Sequence, residues 1–103
     1  MTYSVTLIDC RGVAESSKRQ AEGAFIQGLE TALGGSDAVA PAFIAYRSAI
    51  ERHGGESLPL DASAQDRDAV DRWNDAYGAG VESAFLGWVR SPEAAYFEIH
   101  LNA

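Results

Sequence analysis

The chain has 103 residues, 47% of them hydrophobic, with ten aromatic side chains, enough for one domain (residues 1–103) with a packed core. Fifteen acids against eight bases give a net charge of −7, which argues against direct nucleic-acid binding through phosphates and against attraction to an anionic membrane. The single cysteine excludes an intrachain disulfide and makes a reducing cytoplasm the expected compartment. No apolar run is long enough to span a bilayer, and Met1–Asp9 alternates without a basic region before it, unlike a signal peptide.

Thr2 to Ile8 alternates as a strand, with Tyr3, Val5 and Leu7 on one face and Ser4, Thr6 and Ile8 on the other. Asp9 to Gly12 reads as its exit loop. A first helix is expected from about Ala14 to Leu33, with Ala21, Phe25, Leu29 and Ala32 as its inner stripe, widened by Ile26 and Leu33. Gly34-Gly35 ends it. Gly23 and Gly28 lie inside and weaken it, and are candidates for close contact with another element.

Ser36 or Asp37 is positioned to cap a second helix that begins close to Pro41, with Val39, Phe43, Tyr46 and Ile50 buried. Arg47 and Glu51 form an i,i+4 pair on its exposed side. His53-Gly54-Gly55 closes it, and Glu56 to Leu60 connects onward around Pro59.

The stretch Asp61 to Trp88 separates charge from apolar surface. At 100° per residue, Val70, Trp73, Tyr77, Val81, Ala84 and Trp88 fall on one side, and Asp68, Asp71, Asp75 and Glu82 on the other. Ser63 with Asp66 resembles a capping box, and Ser91-Pro92 is the expected stop. Gly78, Gly80 and Gly87 are places where this third helix can kink or divide. Ala94 to Leu101 is the last strand, with Phe97, Ile99 and Leu101 inward. The expected fold is α+β, three helices on a small sheet made by the N- and C-terminal strands, in the order β-α-α-α-β. Two such strands leave unpaired edges, through which a homodimer or another protein can complete a larger sheet.

The carboxylate row is the main functional signal. Like charges three and four residues apart destabilise a helix by a few tenths of a kcal/mol per pair, and aspartate is a mediocre helix former. From Asp61 to Glu82 stand Asp61, Asp66, Asp68, Asp71, Asp75 and Glu82 against only Arg67 and Arg72. A basic protein partner is the functional reason for such a surplus. A plain solvated face is the competing reading, because Arg72 follows Asp68 by four residues and Arg67 precedes Asp71 by four. The spacing lacks the glycine and terminal glutamate of a calcium loop, so no metal is expected there, nor any other cofactor.

Cys10, beside Arg11 between a strand and a helix, is a candidate nucleophile, although no nucleophile motif or Cys-x-x-Cys pair surrounds it. Glu98 and His100 share a strand face with Tyr96 and make a possible acid–base pair. Together these define an enzyme or small-ligand binder as the alternative, with a regulatory subunit of a larger assembly as a third class. In size, charge and element order the whole chain is similar to bacterial immunity proteins, which neutralise a toxin stoichiometrically. That resemblance rests on no motif, and it implies a non-enzymatic antitoxin-type inhibitor whose carboxylates occupy a basic cleft, as in a nuclease. The residues expected to carry binding are Asp68, Asp71, Asp75 and Glu82, with Asp61 and Asp66 at the edge.

Overall fold

A computed structural model of the chain describes residues 2–8, 13–55, 58–86 and 95–102. In chain order they form β1 (Thr2–Ile8), α1 (Glu15–Leu33), a 3₁₀ turn (Ser36–Ala38), α2 (Val39–Arg52), α3 (Ala64–Ala84) and β2 (Tyr96–Asn102). The fold is α+β in the order read from the sequence. Cys10 with its loop, Trp88 and the Ser91-Pro92 stop lie outside the described residues.

β1 and β2 pair antiparallel, from Thr2 opposite Asn102 to Ile8 opposite Tyr96. The alternation of the strands turns Leu7 and Phe97 into the core and leaves Thr2, Ser4, Thr6 and Glu98 exposed. The helices cover the inner face. α1 and α3 make the most extensive helix contact and run antiparallel, because Leu33 meets Arg72 while Gly28 meets Gly80 and Ser83. α2 packs on α3.

Aromatic rings fill two layers. Under the sheet, Phe25 stacks on Phe97 with centroids 4.1 Å apart and meets Tyr77 edge-on at 5.2 Å. Between α2 and α3, Trp73 lies 5.0 Å from Phe43 and 6.0 Å from Tyr46. Such pairs add specific geometry to the burial of large apolar surfaces.

The helix termini show where local chemistry decides and where packing does. α1 ends at Gly34 in the left-handed region (φ 94°), whose N–H returns to Glu30 O, as glycine allows. Ser63 Oγ accepts from Asp66 N at 3.1 Å and caps α3. α2 differs from expectation. Neither Ser36 nor Asp37 caps it; both belong to the 3₁₀ turn, which runs directly into Val39 with no side-chain cap. Pro41 is tolerated because first-turn amides have no intrahelical acceptor. The fully buried residues of α2 are Val39, Ala40, Ala42 and Ala49, while Phe43, Tyr46 and Ile50 are only half-buried. α2 thus approaches its neighbour closely on small side chains and flanks that contact with rings. α3 is one continuous helix through Gly78 and Gly80, but it stops at Ala84, short of Trp88. Phe85 leaves the helix to pack 5.9 Å from Phe97. Ala32, expected inward on α1, is exposed.

Candidate interaction face on the third helix

α3 carries the carboxylates because its apolar positions are taken. Trp73, Ala76 and Gly80 are buried against α1 and α2, and the 3.6-residue repeat then forces Asp68, Asp71, Asp75 and Glu82 outward. All four are exposed. They fall within a sector of roughly 60°, and Asp68 to Glu82 extends about 21 Å along the axis. Asp61 is exposed in the turn before the helix.

Asp66 is placed differently. Its side chain is 9% exposed and faces α2, where Arg52 donates to both carboxylate oxygens through Nη2 and Nε, and His53 Nε2 lies 3.1 Å from Oδ2. The Arg52 guanidinium, with a further contribution from His53, holds the Asp66 carboxyl below its ordinary value near 3.8. Asp66 is therefore a tie between the end of α2 and the start of α3. The sign of the linkage follows from a lowered folded-state pKa: the tie is fully stabilising above the ordinary carboxylate value and is lost as pH falls through the folded one. Asp66→Asn is expected to lower the thermal midpoint at neutral pH and to flatten its acid limb below about pH 4. A scan of unfolding temperature against pH on both proteins checks this; parallel curves would show that Asp66 carries no linkage.

The two arginines of α3 decide the electrostatics of its outer face. Sequence spacing offered them as partners for Asp68 and Asp71. Instead Arg67 Nη2 donates to Pro59 O at 3.1 Å and Leu60 O at 3.0 Å, and Arg72 Nη2 donates to Leu33 O at 3.3 Å. Arg72 thereby serves the negative end of α1, where a cation is favoured. Among the described residues, Asp68, Asp71, Asp75 and Glu82 have no ion-pair or hydrogen-bond partner. Glu82 also stands in the last turn of α3, where a negative charge opposes the helix dipole and no base is present. Neither ion pairing nor the dipole accounts for Asp75 and Glu82.

A hollow of about 200 Å³ opens beside the row between α2 and α3, lined by Ala42, Ala45, Asp68, Ala69 and Arg72. A larger open groove of about 560 Å³ between α1 and α3 is lined by Gly28, Ala79, Ser83 and Leu86 among others, with no titratable side chain in its wall.

Of the alternative site, Glu98 and His100 stand on the outer sheet face, with His100 Nε2 3.6 Å from Glu98 Oε1 and side chains 42% and 48% exposed for His100 and Glu98. Ser4 and Thr6 lie opposite them in the ladder. Water reaches this pair freely, which weakens its mutual charge interaction. Among the described residues no cluster of three or more metal-ligating side chains occurs, and no helix is long and apolar enough to cross a membrane.

Glu30 and Glu22, which the sequence did not single out, and Tyr77, read there only as part of an apolar face, make the polar ties to the strands. Tyr3 Oη donates to Glu30 Oε1 at 2.7 Å, Leu7 N donates to Glu22 Oε2 at 2.7 Å, and Phe97 N donates to Tyr77 Oη at 2.8 Å. Burial, reinforced by Glu30, pushes the Tyr3 phenol well above its usual range. No family model matches the chain, and no curated protein and no solved structure matches it either.

Proposed function

We propose that this chain is a stoichiometric protein-binding inhibitor, of the immunity or antitoxin type, whose α3 face covers a basic cleft on its partner. The observation that carries the reading is the row Asp68, Asp71, Asp75 and Glu82, exposed and unpaired while the arginines of the same helix are spent on backbone carbonyls. A helix selected for stability alone would place opposite charges at those spacings. Unpaired carboxylates in a row attract a basic surface, speed encounter, and fix its register. A cleft that ordinarily receives nucleic-acid phosphates is such a surface, so a nuclease toxin is the favoured partner class. Asp61 extends the row; Asp66 contributes by holding the start of α3 in place rather than by contact. The hollow beside Asp68 gives the stems of partner lysines or arginines an alanine-lined footing while their charged heads meet the carboxylates. In this reading the protein acts in the cytoplasm and catalyses nothing itself.

The test is a comparative capture from native lysate with three baits: the wild type, Asp71→Lys/Asp75→Lys, and Glu15→Lys/Glu98→Lys. A basic protein held by the first and third but not by the second, released by high salt, and inhibited in its own activity at one-to-one ratio is the expected result. Capture that is equal on all three baits would remove the α3 face from the interface.

A further inference from the structure

A strand at the rim of a sheet presents unpaired N–H and C=O groups to any strand that comes alongside. Among the described residues the sheet has two strands, and both are rims. The register and the hydrogen bonds together show which groups point outward. Leu7 stands opposite Phe97, yet the Leu7 amide is taken by Glu22 at 2.7 Å and the Phe97 amide by Tyr77 at 2.8 Å. Both therefore point away from the partner strand, and Leu7–Phe97 is a non-hydrogen-bonded pair of the ladder. By alternation Val5–Ile99 and Tyr3–Leu101 are of the same kind. The outward amides are those of Tyr3, Val5 and Leu7 on one edge and of Phe97, Ile99 and Leu101 on the other. At the same end of the sheet, each edge has its outward amide filled. Among the described residues no side chain reaches the outward amides of Val5 or Ile99.

We propose that Glu22 and Tyr77 are stoppers, which close one end of each sheet edge and keep the terminal strands from pairing with a second copy of the chain. An added strand has to bring a carbonyl to the place the Glu22 carboxylate already occupies. An amide bonded to a carboxylate is held about twice as strongly as one bonded to a neutral oxygen, so the exchange is unfavourable. On the other edge the Tyr77 hydroxyl is fixed by its ring, which lies edge-on against the buried Phe25. Among the described residues, what is left open on either edge is two outward amides, too short a ladder to hold a second chain in water.

The stoppers are placed by the same geometry that sets β1. Glu22 and Glu30 are eight residues apart on α1, about 12 Å along its axis, and Leu7 and Tyr3 are four residues apart on β1, about 13 Å. The match lets one glutamate hold each end of the strand, Glu30 through the Tyr3 hydroxyl and Glu22 through the Leu7 amide. A slip of one residue would break both ties and turn Leu7 out of the core. The inference is independent of any partner for α3.

Amide exchange on the full-length chain, followed by NMR, together with sedimentation velocity, tests it. In the wild type the Leu7 and Phe97 amides are expected to exchange about tenfold more slowly than those of Val5 and Ile99. Glu22→Ala should speed Leu7 about tenfold and leave Phe97 unchanged, and Tyr77→Phe should do the reverse. Glu22→Gln keeps an acceptor oxygen but loses its charge, and should fall between the wild type and Glu22→Ala. The double variant Glu22→Ala/Tyr77→Phe should populate a dimer at concentrations where the wild type sediments as a monomer, with new protection at Val5 or Ile99. Equal exchange at all four amides in the wild type, which needs no variant to fold, would overturn the proposal. So would a wild type already dimeric through these edges, or a folded double variant that stays monomeric.

Discussion

Gly80→Ala is expected to destabilise the protein by about 1–3 kcal/mol, whereas Gly78→Ala, two residues earlier on the same helix, is expected to stabilise it by about 0.5–1 kcal/mol. The sign reverses because of what each Cβ would meet. At Gly80 it would lie 2.6 Å from Phe25 Cδ2 and 3.0 Å from the Phe25 carbonyl oxygen. Phe25 is fully buried and stacked on Phe97, so its ring cannot retreat without disturbing β2, and the carbonyl belongs to the α1 backbone. Gly28 faces the same crossing from α1, where a Cβ would lie 2.8 Å from Ala79 O and 2.9 Å from Gly80 Cα. Two glycines thus let the backbones of α1 and α3 approach to contact distance. At Gly78 a Cβ has nothing within 4 Å, so alanine only removes the excess freedom that glycine gives the unfolded chain. Gly23, equally open on α1, should behave as Gly78 does. Thermal unfolding reads the difference, at about 4–8 °C per kcal/mol for a domain of this size. Equal midpoints for Gly80→Ala and the wild type would mean that the crossing can open without loss.

The strands and the body of each helix were legible because one face of each meets the core and the period of the apolar residues records it. Thr2–Ile8 alternates, Gly34-Gly35 supplies a left-handed stop, and Ser63 offers a cap three residues before an amide. Where the deciding partner is distant, residue types carry no trace. α3 ends at Ala84 and Phe85 packs against Phe97 of the sheet, although the helical pattern continues to Trp88. Gly80 reads as a helix breaker in isolation and as a contact once α1 lies beside it. Arg72 sits at ion-pair spacing from Asp68, and the carbonyl that wins it belongs to Leu33, 39 residues away. Asp66 looked like part of the acidic row until Arg52 and His53 arrived from α2. The bonds made by Glu22 and Tyr77 were invisible for a different reason: their partners are backbone amides, which every sequence has everywhere. The row itself was visible from the sequence, but its being unpaired was not, since only tertiary structure shows where the arginines go.

That unpaired state sets the second large effect. Asp71→Lys/Asp75→Lys is expected to weaken binding of a nona-arginine peptide about tenfold, while Glu15→Lys/Glu98→Lys weakens it less than about threefold. Each acid-to-lysine change adds two charges, so both variants move from −7 to −3, and net charge cannot distinguish them. The difference is local. At about 6 Å in water a charge pair is worth about 0.7 kcal/mol, and reversal turns each attraction into an equal repulsion, about 2.8 kcal/mol over two sites before screening. Physiological salt, with a Debye length of about 8 Å, removes roughly half of that and leaves about a factor of ten. Glu15 and Glu98 start from a weaker position, because Lys18 lies 3.8 Å from one and His100 3.6 Å from the other. Titration calorimetry over a series of salt concentrations checks the comparison. Binding of the wild type and of the control pair should fall steeply as salt rises, and that of the α3 variant should fall less, because fewer carboxylates remain in contact. Equal losses in the two variants would mean that the peptide answers to total charge alone, and the α3 row would then be an ordinary solvated face.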